Sequence, residues 1–340
     1  MRILVIGANG QVGHELLRAL HEQRAAANPP LQGEGMGGDG VRGDAGVIIP
    51  VTRSGRLPDG GACESLDLAD KDALRDALAR IQPDLILNAA AYTAVDRAED
   101  EPDLAQRINA EALDVIGAWS ARHGARVVHY STDYVFDGSA TRPYREDDAT
   151  HPVGAYGRSK LAGEIALRDS GARHLLFRTA WVYAARGHNF LRTMLRLGAE
   201  RDALRVVDDQ IGAPTPARLI ADVTAQVIAQ WYTPPSAGRG SMRSIGGMRT
   251  RDGVYHLAAS GRTSWCGFAR AIFERAQRTG LIEHAPTVHA IRTVDYATRA
   301  ARPAFSVLDT TRLRDTFGIV LPAWETALDG VMRELETPRS

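Results

Sequence analysis

Arg2-Ile3-Leu4-Val5-Ile6-Gly7-Ala8-Asn9-Gly10-Gln11-Val12-Gly13 opens the chain with a short branched apolar run that enters a glycine turn at once. Such a run suits a strand buried on both faces. Glu15 to Gln23 follows as a helix, with Leu16, Leu17 and Leu20 on one face. Strand, glycine turn and helix in this order are the context that gives a glycine motif meaning. The glycines let a pyrophosphate approach the backbone, and the helix N-terminus offers it free N–H groups and partial positive charge. The spacing is G-x-x-G-x-x-G, and a tight turn without a ligand is the plain alternative.

Strand and helix patterns keep alternating. Ala25 to Gly46 is rich in Gly and Pro and reads as a flexible surface insertion, after which Val47 to Val51 predicts the second strand. An acidic residue at that strand's tip would bond a ribose 2′-hydroxyl, whereas an arginine accommodates a 2′-phosphate. The tip here is Val51-Thr52-Arg53-Ser54, so Arg53 points to NADPH, with NADH also admissible, and a solvated loop residue is the equal alternative reading of Arg53. Lys71 to Arg80 predicts a helix. Leu85-Ile86-Leu87 predicts a buried strand ending in Asn88-Ala89-Ala90-Ala91-Tyr92-Thr93, small residues against which a flat cofactor can lie. Arg126 to Tyr130 predicts the next strand and delivers Ser131-Thr132-Asp133 to the same edge, where Thr132 can hydrogen-bond a substrate oxygen. The fold class is α/β, a doubly wound parallel sheet.

Lys160 adds chemistry to that frame. Of 41 basic residues only Lys71 and Lys160 are lysines, and Lys160 stands four residues after Tyr156 in Tyr156-Gly157-Arg158-Ser159-Lys160. On a helix those two positions share a face. A compact ammonium beside a phenol lowers its pKa, and a lysine stem also reaches a sugar hydroxyl. An exposed helix pair is the bland reading.

Composition narrows the function classes. A chain of 340 residues can bury a large core and divide into two lobes. Acidic and basic residues balance at 41 each, which gives no footprint for nucleic acid or an anionic membrane. Cys63 and Cys266 form neither a disulfide framework nor a metal-binding spacing, so a reducing cytoplasm is expected. No apolar run reaches the roughly 18 residues of a spanning helix. The N-terminal run lacks the cleavage region of a signal peptide.

The longer blocks carry a resemblance. They include Asn88-Ala89-Ala90-Ala91-Tyr92-Thr93-Ala94-Val95-Asp96, His129-Tyr130-Ser131-Thr132-Asp133-Tyr134-Val135-Phe136 and Tyr156 through Glu164. They continue in Arg178-Thr179-Ala180-Trp181-Val182-Tyr183, Asp209-Gln210-Ile211-Gly212-Ala213-Pro214-Thr215, Tyr255 through Gly261, and Arg302-Pro303. The chain resembles an extended short-chain dehydrogenase, and more narrowly the dTDP-4-dehydrorhamnose reductase family, nearly end to end apart from two insertions. The resemblance implies a Rossmann-type domain with a smaller, mainly C-terminal α/β substrate lobe. It also implies reduction of the C4 ketone of dTDP-4-dehydro-L-rhamnose, the last step of dTDP-L-rhamnose synthesis for surface polysaccharide. Tyr156 would donate the proton, Lys160 would tune it and grip the nicotinamide ribose, and Thr132 would polarise the carbonyl. Asp133 and Trp181 would line the sugar site. Gly7, Gly10, Gln11, Val12 and Gly13 would hold the pyrophosphate, and Asp67 and Leu68 would flank the adenine. Ala91, Tyr92, Thr93 and Tyr130 would line the remaining cofactor channel, and Asn109 would help order a proton relay. Arg302 and nearby Arg299 are candidates for the substrate's pyrophosphate.

The expected division gives residues 1–181 and about 205–258 to the dinucleotide domain, with about 182–204 and 259–336 in the substrate lobe. Phe190 to Arg201 would help build that lobe, while Arg218 to Trp231 returns as a helix and Tyr255 to Leu257 as a late strand. Trp265, Phe268 and Phe273 read as lobe core. A second insertion, about Pro234 to Gly253, carries Arg239, Arg243, Arg249 and Arg251 among glycines and reads as a surface loop. Some family members bind Mg²⁺ at a dimer interface through glutamates. Glu15 fits one ligand, but Arg218 stands where another is expected, and a cation there repels Mg²⁺. No metal site is therefore expected, and a homodimer is an open expectation. Two other readings compete. One is a different nucleotide-sugar reductase, epimerase or dehydratase, although Tyr134 rather than a glutamate after Asp133 argues against the dehydratase. The other is a regulatory subunit of methionine adenosyltransferase, against which the intact Thr132, Tyr156 and Lys160 set argues.

Overall fold

The apolar opening run forms β1 (Arg2–Ile6) and the glycine turn leads into α1 (Gln11–Ala27). The computed structural model describes residues 1–27, 46–232, 243–245 and 248–336. The alternation continues through β2 (Val47–Thr52), β3 (Glu64–Ser65), α2 (Lys71–Ile81) and β4 (Leu85–Asn88). Next, α3 (Pro102–Gln106) passes through a π-helical turn, Arg107–Glu111, into α4 (Ala112–His123). Then come β5 (Arg126–Thr132), α5 (Ala155–Asp169) and β6 (Arg173–Thr179). The later chain gives β7 (Val182–Tyr183), α6 (Phe190–Glu200), β8 (Ala203–Val207), β9 (Ile211–Gly212), β10 (Thr215–Pro216) and α7 (Ala217–Tyr232). It closes with β11 (Arg243–Ile245), β12 (Met248–Thr250), β13 (Gly253–His256), β14 (Thr263–Ser264), α8 (Trp265–Arg278), β15 (Thr287–Ile291), α9 (Thr311–Phe317) and α10 (Trp324–Glu336).

Seven strands form one parallel sheet in the order β13-β6-β5-β4-β1-β2-β3. The chain runs outward from β1 to β3, then restarts on the other side at β4. That reversal makes a crevice beyond the carboxyl ends of β1 and β4, the place where doubly wound sheets of the Rossmann type bind ligands. Strand parity sorts the side chains between two layers. Val5, Val128 and Tyr130 pack with Leu16 and Leu20 of α1 and Ile220 and Trp231 of α7. Leu4, Ile6 and Val127 pack with Leu74 of α2, Ile116 of α4 and Leu167 of α5. Each such side chain, fully buried, contributes about 1.5–3 kcal/mol before entropy is counted. Asp70 starts α2 cleanly, because its carboxylate accepts from the backbone N–H groups of Asp72 and Ala73.

A second core joins α6, α8 and α10 through Leu191, Phe268, Phe273, Leu328 and Met332. Its small sheet pairs β8 with β15 in parallel.

Several elements cross the expected divisions. Ala25–Ala27 belong to α1. Residues 28–45, which hold most of the first insertion, and 233–242 and 246–247, which hold about half of the second together with Arg239, lie outside the described residues. The described part of the second insertion contains the antiparallel pair β11–β12, and Gly253 pairs with Leu175 in the main sheet. The boundary near 205 cuts through β8, which hydrogen-bonds only to the later strand β15. Helix α9 covers the main sheet rather than the second lobe: Phe317 meets Tyr255 of β13 edge-on at 5.2 Å between ring centroids.

Candidate active site

The cradle at the switch point is built from backbone. Gly7 has φ +82°, and a Cβ there would stand 2.7 Å from the Ala90 backbone nitrogen. A Cβ on Gly13 would stand 2.1 Å from the Gly7 carbonyl oxygen. Only hydrogen atoms at both positions let β1, β4 and α1 close together. His14 N–H donates to the Gly10 carbonyl, so Gln11, Val12 and Gly13 form the first turn, where N–H groups have no partner inside the helix. A half-buried first turn with amides unpaired inside the helix, at the head of a 17-residue helix, fits a dinucleotide pyrophosphate. The Gln11 side-chain oxygen also accepts from Asn189, the N-cap of α6, which ties the cradle to the second lobe.

At the adenosine end Arg53 is exposed just past β2, as expected. Arg56 is exposed three residues on, and its N–H donates to the Thr52 hydroxyl. Asp67 is exposed and its carboxylate accepts from Ala69 N–H. Leu68 departs from expectation: it is buried in the core beside α2 and α4. Ala91, Tyr92 and Thr93 lie at the open tip of β4. Asn109 holds this tip by accepting from Tyr92 N–H and donating to the Tyr92 carbonyl. The Tyr92 hydroxyl donates to Glu101. Tyr130 is a correction. Its ring sits in the core and its hydroxyl donates to Thr224 of α7, so it presents only its carbonyl to the site.

Thr132, Asp133, Tyr156 and Lys160 come together beyond β5 and on the first turns of α5. The Thr132 hydroxyl lies close to the Tyr156 phenol and donates to Asp133 Oδ1 at 3.0 Å. Tyr134 packs edge-on against Tyr156 with centroids 5.6 Å apart. Burial pushes the Tyr156 phenol up to about 12, against a downward pull from Thr132. This is the reverse of the expected lowering. Lys160 is 1% exposed and donates to the Tyr130 carbonyl at 2.7 Å, with His129 Nε2 at 3.0 Å. Burial pulls its amine down to about 7. Burial likewise pushes the Asp133 carboxyl up to about 6, against hydrogen bonds from Ser306 and Thr132.

Trp181 stands at φ +48°, a strained backbone for a bulky residue. Its indole is clamped: a Cβ on Gly212 would lie 2.4 Å from the ring, and Trp265 stacks on it at 3.6 Å between centroids. Trp265, expected to be core, is thus only half-buried and backs the residue expected to line the sugar site. Phe268 and Phe273 are core. Arg302 is already engaged, donating to Asp96 at 2.7 Å, and Arg299 pairs with Asp100. Around Glu15 the Arg18 guanidinium bonds Glu15, Glu22 and Asp222 together, and Arg218 pairs with Glu334. Among the described residues no three His, Cys, Asp or Glu side chains are grouped to hold a metal ion.

Three residues of the site carried no role in the sequence reading, Asn88, His129 and Asn189, and Trp265 was read only as core. Parity along β5 could have found His129, because it puts residues 127 and 129 on the face that α5 covers and Tyr130 on the other.

The profile of the RmlD substrate binding domain family matches residues 1–337. A dTDP-4-dehydrorhamnose reductase of Burkholderia thailandensis is 42% identical over 337 residues, covering 98% of this chain and 99% of the relative. The enzyme of that name from Escherichia coli K12 is 40% identical, covering 99% of each. A crystal structure of dTDP-4-dehydrorhamnose reductase from Bacillus anthracis in complex with NADP superposes with TM-score 0.77 at 30% identity, covering 98% of this chain and 99% of that one.

Proposed function

The chain belongs to the dTDP-4-dehydrorhamnose reductase family, and on that premise we propose how its own residues carry out the family's reaction, the NADPH-dependent reduction of a dTDP-sugar C4 ketone to dTDP-L-rhamnose. NADPH supplies the hydride when bound. The cradle at Gly7, Gly10, Gln11, Val12 and Gly13 orients the cofactor, with Arg53 beside the 2′-phosphate and Ala91, Tyr92 and Thr93 along the channel.

One observation carries the assignment: Thr132, at the carboxyl end of β5, lies close to the phenol of Tyr156, on the helix that bears Lys160. A carbonyl oxygen placed between them gains negative charge as it is reduced. The Thr132 hydroxyl turns from Asp133 to that oxygen and stabilises the charge, and Tyr156 delivers the proton. Even raised by burial, the phenol remains a stronger acid than the alcohol formed, so the proton passes from Tyr156 to the alkoxide. Lys160 then stands behind the phenolate. Asp133 and the clamped Trp181 shape the sugar site, and Arg302 takes the substrate's diphosphate in competition with Asp96.

We place the reaction in the cytoplasm. Cys63 and Cys266 are both free thiols, and among the described residues no helix is long and apolar enough to cross a membrane. A homodimer is the proposed assembly, and sedimentation velocity reads it directly. The test of function is NADPH consumption with enzymatically generated dTDP-4-dehydro-L-rhamnose, with the product identified by mass and NMR. Turnover to dTDP-L-rhamnose is expected. NADPH binding without turnover on this sugar overturns the substrate.

A further inference from the structure

Lys160 is held from behind by a chain of hydrogen bonds whose directions can be worked out one by one. The chain starts at Ala90, whose backbone N–H can only donate, and it meets Asn88 Oδ1 at 3.2 Å. That contact fixes the amide, so Asn88 Nδ2 is the atom 3.3 Å from His129 Nδ1. An amide NH₂ can only donate, so Nδ1 carries a lone pair. A neutral imidazole with bare Nδ1 bears its proton on Nε2. That N–H points at Lys160 Nζ, 3.0 Å away, and needs a lone pair there. An ammonium has none. A neutral amine satisfies every contact, because it accepts from His129 and donates to the Tyr130 carbonyl at 2.7 Å. The alternatives fail. Flipping Asn88 sets NH₂ against the Ala90 N–H, a doubly protonated His129 faces donors on both sides, and a single proton on Nδ1, toward the Asn88 backbone carbonyl, stands against Asn88 Nδ2.

The charges around this chain do not reverse the conclusion. Glu164, one turn along α5, favours the ammonium but is spent in a buried two-pronged pair with Arg178 of β6, with contacts of 3.0 and 2.7 Å. Tyr156, on the preceding turn, is a neutral phenol. Asn109 and Ser159 on the flanking turns carry no charge. His129 is fully buried, and that burial holds its imidazole neutral.

We propose that His129, oriented by Asn88, is a positioning residue that presents an N–H to Lys160 and holds it as the neutral amine in the dinucleotide-free protein. Resting on the reductase reading, it follows that the cation needed behind the Tyr156 phenolate forms by proton uptake when the anionic dinucleotide binds. His129 is the switch that sets how readily this happens.

The test does not require activity, so its failure is distinct from failure of the reductase reading. Lysine labelled with ¹³C at Cε gives only two signals in this chain, from Lys71 and Lys160. In the dinucleotide-free protein the Lys160 signal is expected to titrate roughly three pH units below an ordinary lysine. His129→Gln offers a carbonyl to the ammonium and should move the midpoint up by at least about one unit. Asn88→Asp keeps the Ala90 contact, draws the imidazole proton to Nδ1, bares Nε2 and should move the midpoint the same way. It covers the case in which the His129 variant fails to fold. Calorimetry in buffers of different ionisation enthalpy should show a proton taken up with NADPH near neutral pH. A Lys160 signal already charged at pH 8 overturns the proposal, and so does a midpoint that both variants leave in place.

Discussion

Replacing Tyr156 by phenylalanine removes one oxygen and leaves the ring seated against Tyr134. The variant is expected to lose about 100- to 10,000-fold in kcat while NADPH still binds, since only the proton donor is gone. NADPH fluorescence titration beside steady-state turnover checks both halves, and near-normal turnover removes Tyr156 from the role. Asp133 offers a test against pH. Burial raises its carboxyl from 3.8 to about 6, so the folded chain binds more protons than the unfolded chain between those values. Its stability contribution is full below pH 3.8 and is lost as pH rises through about 6. Asp133→Asn should therefore raise stability at pH 7–8 by on the order of 2–3 kcal/mol, with the gain vanishing toward pH 4. Urea denaturation at both pH values reads this, and equal gains at both exclude the carboxylate as cause. At this scale the Tyr156–Lys160 pair is legible because helix spacing alone puts the two on one face. His129 was not read because a histidine in a buried strand is usually core. Tyr130 was misassigned because strand parity was not applied to it.

The helices that hold these residues are seated by contacts that no periodicity announces. Gly163 of α5 lies against the π-helical turn: a Cβ there would stand 2.0 Å from the Asn109 carbonyl oxygen. That turn aims the Asn109 side chain at both the Tyr92 backbone and the Ser159 hydroxyl. Gly163→Ala must therefore push α5, with Tyr156 and Lys160, off its seat. The expected cost is about 1–3 kcal/mol of stability together with a fall in kcat. Thermal unfolding and turnover measure the two, and a variant unchanged in both shows that the seat is loose. Strand runs and amphipathic helices were legible because apolar period follows burial. The π turn was not, since Arg107–Glu111 reads as ordinary helix. Nor was the placement of α9 and β8, because their apolar faces suit either core and only the tertiary pairing decides.

Across the whole molecule, polar contacts join an apolar cluster of Phe136, Tyr144 and Leu308 in tying the loops of the first domain to the later chain around the site. Gln11 meets Asn189, Asp96 meets Arg302, and Asp100 meets Arg299. Burial raises the Asp96 carboxyl, but the Ala300 N–H and Arg302 outweigh it and hold it below its usual value. The clasp is thus intact at neutral pH and weakens as pH falls through that lowered value. The pair is partly exposed, with side chains 45% and 22% accessible, so it contributes only about 0–1 kcal/mol. A substrate diphosphate can displace so weak a partner. If Arg302 serves both, Arg302→Gln should raise KM for the sugar nucleotide roughly tenfold with little change in kcat. Asp96→Asn should do the opposite and lower KM, because it frees the guanidinium. The double variant should then match Arg302→Gln, since without the arginine Asp96 has nothing to withhold. Should both single variants raise KM alike, Arg302 acts only by fastening the later chain to the tip of β4, and the diphosphate is held elsewhere.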